Sequence, residues 1–184
     1  MKIIGITGTL GAGKGTIVDY LVTKRDFAHY SARDFINEEV IRRGRPLNRD
    51  SQTLTANELR AEHGPGYIIQ ELYKRALGFK KNSIIESIRT PGEVTSLKEA
   101  GDFIFLAIDA DPALRYERIT KRGSEKDSVS FEKFLTDESR EMTSSDPTKQ
   151  NISAVMAQAD YKLINNGTRE ELEVAIEKIL AEII

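Results

Sequence analysis

Nine consecutive residues near the start of the chain, Gly8-Thr9-Leu10-Gly11-Ala12-Gly13-Lys14-Gly15-Thr16, have the types and spacing that hold phosphate. Glycines let successive backbone N–H groups face one concavity with no Cβ in the way. Lys14 adds a mobile positive charge for the outer phosphates of a nucleotide, and a hydroxyl just inside the following helix would hold Mg²⁺. Gly15 stands where serine or threonine usually follows the lysine, so Thr16 is expected to supply that hydroxyl. The binding residues expected from this stretch are Gly8, Leu10, Gly11, Ala12, Gly13, Lys14, Gly15 and Thr16.

Phosphoryl transfer requires positioning and charge neutralisation more than covalent chemistry. A second cationic group must therefore hold the acceptor. Arg89 follows an apolar run and is well placed for this; Arg118 and Arg122 lie one helical turn apart on one face, joined by Arg115. Asp34 and Glu86 are the acidic candidates. Asp34 could orient or deprotonate an acceptor hydroxyl, or cap its helix. Glu86 could hold a Mg²⁺-bound water. His29 and His63 read as structural or surface residues, and two histidines exclude a histidine-rich metal centre.

The elements that must position these groups are legible from periodicity and caps. Lys2–Thr7 reads as a strand, and a helix from Lys14 to Lys24-Arg25 ends in cations, as its dipole prefers. Phe27–Tyr30 reads as a second strand. Asp34 is the expected N-cap of a helix closed by Gly44. A further helix starts at Ser51 or Thr55, where Thr55-x-x-Glu58 reads as a capping box, and stops at His63-Gly64. Pro65 opens the next helix at its first position, and Gly78 ends it. Asp34 to Phe79 is thus an all-helical insert between strands.

Ser83–Ile88 reads as the third strand. Thr90-Pro91-Gly92-Glu93 starts a helix that Gly101 closes. Phe103–Ile108 is continuously apolar, as a central strand buried on both faces must be. Asp111-Pro112 caps a helix ending at Arg122-Gly123; Phe131–Met142 is helical; Asn151 caps a short helix to Ala159; Tyr161–Ile164 is the fifth strand; Thr168-x-x-Glu171 caps a final helix. Strands alternating with helices predict an α/β domain, a five-stranded parallel sheet covered on both faces, with ligands at the carboxyl ends of the strands.

Composition bounds the reading. A chain of 184 residues with 39% apolar and 30% charged residues is expected to be one soluble globular domain, 1–184. A net charge of −2 gives no duplex-binding surface, so no nucleic-acid partner is expected. The absence of cysteine removes disulfides and thiolate metal sites. No apolar stretch reaches membrane-spanning length and no signal peptide precedes the first strand, so the expected location is cytoplasmic with no membrane partner.

These residues resemble a known superfamily. Gly-x-x-Gly-x-Gly-Lys-Gly-Thr at Gly8–Thr16, Glu117-Arg118-x-x-x-Arg122 after Asp111-Pro112, and the helical insert look like P-loop nucleoside monophosphate kinases of the adenylate kinase type. Ile4–Gly8 and Ala159-Asp160-Tyr161…Ile164-Asn165-Asn166-Gly167-Thr168 look like dephospho-coenzyme A kinases. A mainly archaeal group of adenylate-kinase-like proteins is similar in Leu59-Arg60…Gly64-Pro65, Ile88-Arg89 and Asp137-Glu138-x-Arg140-Glu141. The resemblance implies a P-loop NTPase fold with ATP and Mg²⁺ as cofactors and Gly8–Thr16 on the phosphates and the metal, with Thr16 as the metal hydroxyl; Glu86 is the metal candidate from its place at the end of the third strand. It also implies Lys14, Asp34, Arg89, Arg118 and Arg122 as the catalytic set, and Arg118, Asn166 and Gly167 beside the donor adenine. Residues 34–79 would form the acceptor-binding insert and 123–150 a closing lid.

Departures from the family pattern matter. Ala32-Arg33-Asp34 replaces Thr-Gly-Asp, Asn37 stands at an arginine position, and Glu86-Ser87 replaces Asp-Gly after the third strand. The usual acceptor-phosphate arginine is therefore missing, with Arg33 or Arg42 as its expected substitute. The implied activity is ATP- and Mg²⁺-dependent phosphoryl transfer to a small phosphorylated acceptor, a nucleoside monophosphate first and dephospho-coenzyme A second, by a monomer or homodimer. A nucleotide-driven switch or assembly factor and a kinase acting on a protein or RNA end are the readings from other classes.

Overall fold

The computed structural model describes residues 1–101, 103–123, 129–145 and 149–184. Strands β1 (Ile3–Gly8), β2 (Ala28–Ser31), β3 (Ser83–Glu86), β4 (Ile104–Asp109) and β5 (Tyr161–Ile164) form one parallel sheet in the order β2-β3-β1-β4-β5. The described helices are α1 (Lys14–Arg25), α2 (Ala32–Arg42), α3 (Arg49–His63), α4 (Tyr67–Phe79), α5 (Pro91–Ala100), α6 (Pro112–Arg122), α7 (Phe131–Met142), α8 (Ile152–Ala157) and α9 (Arg169–Ile183). The parallel α/β architecture expected from the alternation is the one that forms.

Side-chain alternation along the strands divides the core in two. On one face Ile4, Ile6, Ile84, Leu106 and Ile108 pack with Ile17 and Leu21 of α1 and Ile176 of α9. On the other Ile3, Ile85 and Phe105 pack with Ile68, Ile69 and Leu72 of α4 and Val94 and Leu97 of α5. Burying each such side chain stabilises the fold by roughly 2 kcal/mol relative to exposure. β1 leads across to β2 in one direction and β3 leads to β4 in the other. The crossover direction therefore reverses beside β1, and the crevice at the carboxyl ends there is where open parallel sheets bind ligands.

Several element boundaries differ from the sequence expectation. Ser31 caps α2, its Oγ accepting the Asp34 N–H at 3.4 Å; Asp34 sits in the first turn instead. Thr55 and Glu58 do not open α3. Asn48 caps it, and Thr55 lies fully buried within the helix, where its hydroxyl accepts Arg45 Nη1 at 3.0 Å. The hydroxyl-to-arginine bond is tertiary, which a local capping pattern cannot reveal. α4 starts at Tyr67 rather than Pro65, with Gly66 as its N-cap packed so closely against α5 that a Cβ there would lie 1.8 Å from Ser96 Oγ. α4 runs past Gly78 to Phe79, and Lys80 ends it in the left-handed region at φ 54°. β3 stops at Glu86, short of Ile88, because Ser87 turns the chain at φ 73°.

Of the expected 123–150 segment, residues 124–128 and 146–148 lie outside the described residues. No described helix is long and apolar enough to cross a membrane.

Candidate active site

The loop between β1 and α1 is held by backbone fit and by its neighbours. Gly8 has φ 144°, and a Cβ there would sit 2.0 Å from the Ile108 carbonyl oxygen. Gly13, the N-cap of α1, has φ 110°, and a Cβ would sit 2.5 Å from Asn165 Nδ2. Both positions thus require glycine on two counts. Asn165 Nδ2 donates to the Ala12 carbonyl at 2.7 Å, Arg115 Nη1 to the Leu10 carbonyl at 3.2 Å, and Thr9 Oγ1 to Asp109 Oδ1 at 2.5 Å. These bonds fix the loop from the β4, α6 and β5 side. Nothing lies within 4 Å of a Cβ built on Gly15, so that side is open space at the N-terminus of α1.

Lys14 Nζ donates to the carbonyls of Gly8 and Thr9, each at 2.7 Å. Burial pushes its pKa down to about 8, and the Arg89 guanidinium presses it further in the same direction; Glu86 acts the opposite way. Glu86 ends β3, in register with Ile6 of β1 and Ser31 of β2. Its carboxylate lies 3.4 Å from His29 Nε2, and the hydrogen bond from His29 is the main reason its pKa lies below the ordinary range. His29, read from sequence as structural or superficial, therefore contacts a candidate site carboxylate.

Arg89 is set by the turn after β3. Thr7 Oγ1 donates to the Ile88 carbonyl at 2.8 Å, joining that turn to β1. The Arg89 N–H donates to Glu93 Oε2 at 2.8 Å, and its guanidinium donates from Nη1 to Gln150 Oε1 at 3.1 Å, with Glu141 Oε2 3.7 Å away. Lys14, Glu86 and Arg89 thus form one electrostatic group.

Arg118 lies at the other end of the loop. Its Nη1 and Nη2 donate to the carbonyls of Asn165 and Gly167 at 2.8 and 3.0 Å, and Asn166 Oδ1 accepts the Asp111 N–H at 2.8 Å. Arg118, Asn166 and Gly167 are accordingly neighbours. Arg122 is exposed in the last turn of α6, and Asp34 is exposed in the first turn of α2. Arg42 is directed to Glu39, with Nη2 to Oε2 at 2.6 Å, so the suggested acceptor role for Arg42 has a competing surface partner.

Sequence reasoning noted Arg115 only as a link between two other arginines. It is 3% exposed; besides Leu10 it donates from Nε to the Ala110 carbonyl at 2.8 Å and forms a two-pronged pair with Glu138 of α7. It also lies over the Phe134 ring, 5.5 Å from the centroid. An arginine on an amphipathic helix has no local signature of burial. Glu93, 1% exposed, was legible as the end of a capping box, and the structure adds its bond to the Arg89 backbone.

Residues 4–146 match the model of the AAA domain family. The UPF0200 protein of Thermococcus kodakarensis is 31% identical over 99% of this chain and 98% of its own length. The shikimate kinase of Acinetobacter baumannii, solved in complex with shikimate, superposes with TM-score 0.63 at 16% identity, covering 99% of this chain and 94% of that one. A gluconokinase of Sinorhizobium meliloti gives TM-score 0.61 at 15% identity over 99% and 93% of the two chains. The last two share the fold. With its glycine-rich loop, lysine and five-stranded parallel sheet, the chain belongs to the AAA domain family and to the UPF0200 proteins.

Proposed function

We propose that this protein transfers the γ-phosphoryl group of ATP, with Mg²⁺, to a small phosphorylated acceptor, a nucleoside monophosphate in the first instance. The observation that carries this reading is the approach of two cations to one partly buried place. Burial and the positive charge of Arg89 both disfavour the Lys14 ammonium there, while Glu86 and Glu141 favour it. Such a place favours polyanions, and a donor chain on one side with an acceptor phosphate on the other supplies them.

In this reading the Gly8–Thr16 loop and the α1 N-terminus bind the donor phosphates. Lys14 leaves the Gly8 and Thr9 carbonyls to meet the outer phosphate oxygens. Arg118 holds the Asn165–Gly167 turn beside the base. Arg89 orients the acceptor. An acceptor phosphate oxygen attacks the γ-phosphorus, the bond from that phosphorus to the β–γ bridging oxygen breaks, and ADP leaves with the electron pair. The Thr16 hydroxyl has no protein partner among the described residues, and a hydroxyl and a carboxylate are hard-oxygen donors of the kind that suits Mg²⁺. Thr16 and Glu86 would hold the ion there, where its chemistry is neutralisation of phosphate charge. Residues 34–79 and 123–150 are proposed as the acceptor side and the lid that exclude water.

The test is ATP turnover with and without a panel of nucleoside monophosphates and dephospho-coenzyme A. At least one acceptor is expected to accelerate ADP release about 100-fold or more and to be recovered phosphorylated. Arg89→Lys is expected to raise the apparent acceptor KM or lower kcat about tenfold, since an ammonium cannot reproduce the guanidinium fork. ATP affinity without acceptor is expected to stay within about twofold. Slow turnover that no acceptor changes would replace this reading with the nucleotide switch.

A pH effect follows from Lys14. In the ligand-free protein this lysine loses its proton through about pH 8. Triphosphate binding favours the protonated form, so ATP affinity is expected to fall as pH rises from about 7 to 9, with net proton uptake on binding above pH 8. Calorimetry in two buffers of different ionisation heat measures that uptake. Equal uptake in Lys14→Met would assign the effect elsewhere.

A further inference from the structure

The run Asp137-Glu138-Ser139-Arg140-Glu141 lies on α7, and packing sorts its charges by face. Asp137 and Arg140 pair with each other at the surface at 3.4 Å, with Lys133 2.8 Å from Asp137. Glu138 and Glu141, three residues apart and so on one side of the helix, meet the site instead. Glu138 takes Arg115, the arginine that holds the Leu10 carbonyl of the phosphate loop, its Oε2 accepting from Nη2 at 2.9 Å. Glu141 Oε2 lies 3.7 Å from Arg89 Nη1. One helix thus reaches the phosphate loop through one carboxylate and Arg89 through the next.

Among the described residues the polar partners of the Arg89 guanidinium are Glu141 and Gln150, whose Oε1 accepts from Nη1 at 3.1 Å. The next residue, Asn151, donates its backbone N–H to the Arg89 carbonyl at 3.0 Å. Glu141 also favours the Lys14 ammonium. A single carboxylate of α7 therefore serves both cations that phosphates would meet. A group that must leave before a ligand binds lowers the affinity of that ligand by the share of time it stays in place.

We infer that Glu141, with Gln150, is an internal stand-in for the acceptor phosphate: it occupies Arg89 until a phosphorylated acceptor displaces it, so that ATP bound alone meets an incomplete site. This inference rests on the reading of Arg89 as an acceptor group given above. The geometry is that of a displaceable contact. The separation of 3.7 Å exceeds a hydrogen bond, and the two side chains are 35% and 44% exposed, so solvent screens the pair and a phosphate dianion outcompetes one carboxylate. The Glu138–Arg115 pair is mostly buried and keeps α7 anchored when Glu141 lets go. α7 is thereby held at one carboxylate and released at the other.

The experiment titrates inorganic phosphate into the full chain with ADP and Mg²⁺ present. It compares wild type with Glu141→Gln and with Glu132→Gln, the same charge change at an exposed position on the opposite side of α7. Glu141→Gln is expected to tighten phosphate about threefold or more at about 0.05 M salt, with the gain shrinking toward about 0.5 M, while Glu132→Gln stays within about 1.5-fold. ATP hydrolysis measured with no acceptor is expected to rise about threefold or more in Glu141→Gln, because Arg89 is then free to meet the γ-phosphate. Gln150→Ala is expected to move both quantities in the same direction, which keeps the test decisive if Glu141→Gln folds poorly. An unchanged phosphate affinity or an unchanged hydrolysis rate would overturn the inference and leave the phosphotransferase reading standing. Weaker phosphate binding with lower acceptor-dependent turnover would also overturn it, by placing Glu141 among the groups that hold the reactants. Phosphate binding to none of these chains, with no acceptor accelerating turnover, would remove the Arg89 reading and this inference together.

Discussion

Lys14→Ala is expected to lower phosphoryl transfer by about 10³-fold, about 4 kcal/mol of transition-state stabilisation, while leaving a folded protein. The ammonium is the mobile charge of the phosphate loop, and Arg89, the cation with the largest effect on it, is engaged with Gln150 and Glu141. The effect on stability has the opposite sign. Lys14 has a folded-state pKa of about 8, below its ordinary value, so the folded chain binds fewer protons than the unfolded chain between about pH 8 and 10.5. Stability attributable to this group is thus lost as pH falls through that window, and at pH 7 the charged lysine opposes folding. Its removal relieves that term and forfeits two bonds to the Gly8 and Thr9 carbonyls. The melting temperature at pH 7 is therefore expected to be no lower than wild type by more than about 3 °C. A folded Lys14→Ala protein with normal transfer would sink the mechanism. Cooperative unfolding at much lower temperature would show that the lysine is a structural clasp instead.

The second large effect is on stability. Arg115→Ala is expected to destabilise the fold by about 3 kcal/mol, a fall of roughly 6–12 °C in melting temperature for a chain of this length. The guanidinium is almost wholly buried, and it joins three elements through the Ala110 carbonyl, the Leu10 carbonyl and the Glu138 carboxylate. Truncation leaves Glu138 as an unpaired, mostly buried charge and frees the phosphate loop on its α6 side. The double change Arg115→Met with Glu138→Leu is expected to recover most of the stability, because replacing both partners removes the desolvation cost with the attraction. Nucleotide affinity is expected to stay reduced in that double variant, since no side chain then holds the Leu10 carbonyl. Calorimetric melts and ATP titrations separate the two effects. Loss of less than about 1 kcal/mol in Arg115→Ala would mean that the pair contributes little beyond its burial.

Local chemistry carried much of this protein in its sequence. The phosphate loop was legible because glycine spacing and a lysine between a strand pattern and a helix pattern have one economical use. The parallel sheet followed from alternation of elements, and the Thr90/Glu93 and Thr168/Glu171 capping boxes form as the spacing predicts, since both partners lie within four residues. Where a similar local pattern failed, at Thr55 and Glu58, Arg45 and Arg43 had taken both groups from across a turn.

Tertiary structure alone decided the pairings at long range. The bond from Thr9 to Asp109 spans 100 residues and that from Asn165 to Ala12 spans 153; no periodicity or spacing encodes which carboxylate meets which hydroxyl. The depressed pKa of Lys14 and the His29–Glu86 contact arise because β2, β3 and β1 are neighbours in space. Arg42 and Arg60 look equivalent in a sequence, two arginines on helical patterns. Only packing turns one toward Glu39 at the surface and sets the other, half-buried, against the buried carboxylate of Glu93. Burial sets the strength of a charge and the fold sets burial, so the identity of the binding loop was local information and the arrangement of the cations around it was not.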